Sequence, residues 1–88
     1  MRERGLAKLD GAAAMTRVAL IGPRLARDLA IRGVTQTALA QAAHVSMPTL
    51  AAALAGKPLN ITSATRIARA VKEYRVITEL DDLIAPAA

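Results

Sequence analysis

Side chains able to do chemistry are few and unevenly spread. His44 is the single histidine and cysteine is absent from the 88 residues, so a disulfide or a thiolate metal site has no members. No carboxylate, cysteine or second histidine lies near His44 in sequence, which makes it a turn residue before a general base. No phosphate-cradling glycine pattern occurs either. An enzyme, a cofactor, a metal or a small-molecule ligand is therefore not expected. Cations are another matter. Arg32, Lys57, Arg66, Arg69 and Lys72 fall between residues 29 and 72, where there is no Asp or Glu; from Glu73 onward Arg75 stands against Glu73, Glu79, Asp81 and Asp82. A basic body suits a polyanion through counterion release, and an acidic end should sit away from it. A solvated surface would carry the same charges.

The elements that must position these groups follow from composition. The apolar fraction is 53 %, yet Tyr74 is the only aromatic and much of the apolar count is alanine. Alanine has the highest helix propensity and lets helices approach closely. An all-α fold of four to five short helices is expected, and a sheet is not. A chain of this length buries only about 60–65 % of its unfolded surface, so a second subunit would help. The apolar stretches at 12–15 and 18–22 are far shorter than a membrane span, and Lys8, Asp10 and Arg17 interrupt any signal-peptide core. We expect a cytoplasmic protein with no membrane contact.

Along the chain, residues 1–21 lack a clean period and read as a flexible arm, with Met15 a possible alternative start and Arg2 and Arg4 either idle or reaching a minor groove. Residues 22–85 form the domain. Pro23 suits a helix's first turn, followed by Leu25, Ala26, Leu29 and Ala30 at helical spacing, and Gly33 ends it. Thr35 caps a second helix with Leu39, Ala40 and Ala43 inward. His44 and Val45 turn the chain; Ser46 caps a third helix, with Leu50 and Ala53 inward and Gly56 as its stop. Thr62 caps a fourth, with a stripe of Ala64, Ile67, Ala68 and Val71. Residues 75–78 read as extended and 80–85 as a last short helix.

The stretch TQTALAQAAHVSMPTLAAALAGK, residues 35–57, carries the specific signal. Two short capped helices joined by a three- or four-residue turn cross steeply only where the contact is small, and Ala40 supplies that contact. Leu39, Ala43, Val45, Leu50 and Ala53 fill the space beneath, leaving the first turn of the second of the pair outward. This is the helix-turn-helix arrangement. Residues 24–84 resemble the lambda-repressor-like helix-turn-helix family, the xenobiotic-response-element type of regulator. The marks are Thr35–Gln36, Leu39–Ala40, Val45–Ser46, Thr49–Leu50, Gly56–Lys57, Thr65, Ile67–Ala68 and Ala70–Val71.

The resemblance implies binding of double-stranded operator DNA as a dimer, with repressor or autoregulator activity. It points to Thr35, Gln36, Thr37, Ser46, Met47, Pro48, Thr49, Ala52 and Lys57 as DNA-contacting residues, with Gln36 and Lys57 on phosphates and Thr49 best placed for a base edge. Two departures stand out. His44 occupies a turn position where the family usually has glycine, and the outer face of the third helix offers Met47, Pro48, Ala51, Ala52 and Ala55. Alanine has no hydrogen-bonding group for base edges, so preference would come from Thr49, thymine methyls, an arm or DNA shape. The same smooth face motivates a rival reading, a protein-interaction module or antitoxin-like partner. Finally, Val76, Ile77, Leu80, Leu83 and Ile84 are the bulkiest apolar cluster and are expected to form a homodimer interface.

Overall fold

The structure, a computed structural model, describes residues 16–86. Arg2, Arg4 and Met15 lie outside the described residues. Five helices, α1 (Gly22–Arg32), α2 (Gln36–Ala43), α3 (Met47–Leu54), α4 (Ile61–Lys72) and α5 (Thr78–Leu83), pack into one mostly helical body. Two short strands, β1 (Arg17–Val18) and β2 (Leu59–Asn60), pair antiparallel with Arg17 opposite Asn60 and Val18 opposite Leu59. The expectation of no sheet, and of an arm running to residue 21, is corrected here. Thr16 O accepts the Ile61 N–H at 2.8 Å, and Val18 and Leu20 pack on the core. Residues 16–21 are tied to the start of α4.

Helix starts follow local chemistry. Thr35 Oγ1 accepts the Ala38 N–H at 3.1 Å and Ser46 Oγ that of Thr49 at 3.2 Å. Each such cap contributes about 1 kcal/mol by satisfying an otherwise orphaned amide. The cap of α4 is Asn60, not Thr62: its Oδ1 accepts the N–H groups of Thr62 and Ser63 at 2.8 and 3.3 Å.

Three successive helices end alike. The N–H groups of Gly33 and Val34 donate to the carbonyls of Ala30 and Leu29, those of His44 and Val45 to Gln41 and Ala40, and those of Gly56 and Lys57 to Ala53 and Ala52. Each is the double bond pattern of a Schellman ending, which needs a left-handed residue. Gly33, His44 and Gly56 supply it with φ of 66°, 57° and 73°. His44 does the work of a glycine.

Leu39, Leu50 and Ile67 are the largest fully buried side chains, surrounded by Leu25, Leu29, Leu59, Val71 and five alanines. α2 lies against α4 and α1 against α3. Two helical faces are rotated from expectation. Ala26, Ala30 and Ala68 are exposed, while Ile31 and Ala70 are buried. Gly22 is buried where a Cβ would strike the Leu54 carbonyl oxygen, so α1 starts hard against the end of α3.

The last helix spans Thr78–Leu83 rather than residues 80–85, because Ile77 is the last extended residue. Its approach to α1 is anchored by backbone: the Ile77 N–H donates to Ile31 O at 2.8 Å. Absence of a side chain at Gly33 leaves room for Ile77 and Leu80. The Arg27 guanidinium then holds the end of the chain, donating to Asp81 Oδ1 at 2.7 Å and to the carbonyls of Asp81, Ile84 and Ala85. Among the described residues no helix is long and apolar enough to cross a membrane.

Candidate nucleic-acid interface

α2 and α3 are joined by His44, Val45 and Ser46. The two helices are in contact, and Leu39, Ala40 and Ala43 of the first and Leu50 and Ala53 of the second are all buried in the one core cluster. Small side chains at 40, 43 and 53 let two short helices cross closely, and Val45 packs on the edge of this core. Because α3 is pinned through Leu50 and Ala53, its first turn and the face bearing Ala51 and Ala55 stay outward.

Expected contact residues fall in three places. Thr35, Gln36 and Thr37 form the exposed first turn of α2. Ser46, Met47, Pro48 and Thr49 make the first turn of α3, where Met47 is 43 % exposed and Thr49 half-buried. Lys57 follows the end of α3 with its side chain exposed, although its backbone N–H is committed to Ala52 O. Ala52 is half-buried, so the outer face of α3 is carried more by Met47, Pro48 and Ala51. The only hydrogen-bonding side chain that α3 itself contributes is that of Thr49, and its Oγ1 is 2.9 Å from Ser46 Oγ.

The charge distribution differs from the count by sequence. Arg32 is not a surface cation: its side chain is 7 % exposed, pairs with Asp28 at 3.0 Å and donates to the Tyr74 carbonyl. A charge bound to an internal carboxylate is unavailable to an external polyanion. Arg66 and Arg69 are exposed on α4, beside His44 and the carbonyl end of α2. There they oppose the partial negative charge of that helix end, and they stand at the opposite end of α2 from Thr35 and Gln36. Lys57 lies just after the end of α3 and is exposed.

No family model, curated protein or solved structure matches the chain. Among the described residues no group of three His, Cys, Asp or Glu side chains is placed to hold a metal.

Sequence reasoning missed one surface feature. Ala19, Leu20 and Ile21, assigned to an arm, line an apolar groove of about 380 Å³ with Leu25, Ala68 and Val71. No periodic signal marks it, because it joins a strand exit to two helices.

Of the expected dimer segment, Val76, Leu80 and Ile84 are half-buried while Ile77 and Leu83 are exposed. The segment lies along α1 of its own chain.

Proposed function

We propose that the protein is a DNA-binding transcriptional regulator, a repressor or autoregulator that recognises a palindromic operator as a homodimer through α2 and α3. One observation carries this reading. α3 is reached by a three-residue turn, held from behind by Leu50 and Ala53, and left with its first turn outward. Such a helix fits a major groove while the preceding helix crosses the backbone. Gln36 at the start of α2 and Lys57 after α3 hold phosphates, and Thr49 meets a base edge. Dimerisation through the 76–84 segment sets two α3 helices one DNA turn apart, about 34 Å.

Support comes from the motif residues of the lambda-repressor-like resemblance, the side-chain caps at Thr35 and Ser46, and the scarcity of acidic groups through residues 29–72. A second reading, a helix-turn-helix scaffold that docks a protein, draws on the alkyl character of α3's outer face, where Thr49 is already bonded to Ser46.

Selection of bound duplexes from a random pool, followed by a salt titration of the enriched site, tests the proposal. An enriched palindrome whose log affinity falls with log salt at about −0.9 per phosphate contacted is expected. Failure to retain any duplex at low salt would overturn it in favour of the protein-docking module.

A further inference from the structure

Leu83 is 84 % exposed on the last helix, with the exposed carboxylate Glu79 one turn before it and the exposed carboxylate Asp82, itself one turn after Glu79, adjacent in sequence. Asp81 and Leu80 point elsewhere, the former to Arg27. The outer face of α5 is thus an apolar knob with two negative charges to one side of it. The groove between α1 and α4 is its converse. Leu20, Ile21, Leu25 and Val71 line about 380 Å³ of open apolar space, with Arg24 of α1 and Lys72 of α4 at its margins. Asp28 also borders it, but its carboxylate is taken by Arg32. Among the described residues Arg24, Lys72, Glu79 and Asp82 have no ion-pair partner, and Ile21 is 57 % exposed.

We propose that the α1–α4 groove receives Leu83 of a second copy of this chain, with Arg24 and Lys72 meeting the second copy's Glu79 and Asp82. This rests on the homodimer reading above and assigns the surface on which the α5 segment docks. Knob and groove are neighbours on one molecule: Arg24 also borders a depression that ends at Pro86, just past α5. Two copies about a two-fold axis therefore each offer a knob and accept one, which closes the assembly at two. Apolar area leaves water at the centre of the contact, while exposed ion pairs at its rim fix register more than affinity.

Charge exchange tests the pairing. Three full-length proteins are compared by light scattering and sedimentation at tens of micromolar: the parent, the double variant Arg24→Glu with Lys72→Glu, and the double variant Glu79→Lys with Asp82→Lys. All four positions are exposed, and circular dichroism checks that helix content is retained. A dimeric parent, two variants whose self-association weakens at least tenfold, and recovery of a heterodimer on mixing the variants are expected. Leu83→Asp alone gives a monomer. A parent that is already monomeric overturns the dimer reading and the docking together, leaving the groove to another ligand. Variants that stay dimeric, or a mixture that does not recover association, overturn the docking while the dimer stands.

Discussion

Ser46 Oγ lies 2.9 Å from Thr49 Oγ1 and accepts the backbone N–H of the same threonine, so the cap of α3 and the only hydroxyl that α3 itself carries are one hydrogen-bonded unit. Within that unit Ser46 serves the helix and Thr49 remains able to turn one hydroxyl interaction outward. Thr49→Ala is expected to weaken binding to a selected site by roughly 1 kcal/mol more than to unrelated DNA, the low end for a base contact. Ser46→Ala lowers stability by about 1 kcal/mol through the lost cap. Fluorescence anisotropy on both duplexes, with chemical denaturation in parallel, checks this; equal losses on the two DNAs for Thr49→Ala remove its base-reading role.

In the proposed reading Gln36 and Lys57 hold phosphates, whereas Thr49 meets a base edge. Gln36→Ala and Lys57→Ala should weaken binding by similar factors on all sequences. Lys57→Ala should also reduce the salt slope by about one. Titrations at several salt concentrations measure both, and a sequence-dependent loss for either would contradict a phosphate role.

His44 takes a left-handed conformation, φ 57° and ψ 44°, where the two matching helix ends have glycine. A side chain in that region carries a steric cost of about 1–2 kcal/mol, partly offset by the greater freedom of glycine in the unfolded chain. His44→Gly should therefore stabilise by about 0.5–1 kcal/mol, seen as a raised midpoint in urea, with DNA affinity unchanged. A lowered midpoint would show that the imidazole contributes contacts near Arg66 and Arg69 that outweigh the strain.

Gly22 makes the opposite case. Its added Cβ would meet a backbone carbonyl of α3 rather than a movable side chain, so Gly22→Ala should destabilise by about 1–3 kcal/mol despite alanine's better helix propensity. Thermal unfolding of the variant against the parent decides it; a neutral result would mean that α1 and the end of α3 separate freely.

Much of this architecture is legible in the residues. Thr35 and Ser46 are caps by chemistry, Gly33 is a stop, and Leu39, Ala40, Ala43, Leu50 and Ala53 keep a helical period that the core confirms. Illegible parts share a cause: their partners are distant or their side chains are small. Alanine fits a buried or an exposed position almost equally, so Ala26, Ala30 and Ala68 could not report which way α1 and α4 face. Thr62 and Asn60 are both good caps, and only the β1–β2 pairing makes Asn60 the residue at the bend. A charge window opened at residue 29 excludes Asp28, one turn before Arg32, and so counts as free a cation that is internally matched. The α2–α3 unit was readable because its determinants are local; the groove beside it was not, because strand exit and helices meet there only in the folded chain.

The β1–β2 ribbon joins Arg17 and Val18 to Asn60 and Leu59 across the three helices α1, α2 and α3. Closing so long a loop for two residue pairs wins little until the helices between are already in place. The ribbon is therefore expected to assemble after the helices it spans and to open before them. Amide hydrogens around Ile61 should exchange through this local opening well before those of Leu39 or Leu50, which exchange only when the whole domain unfolds.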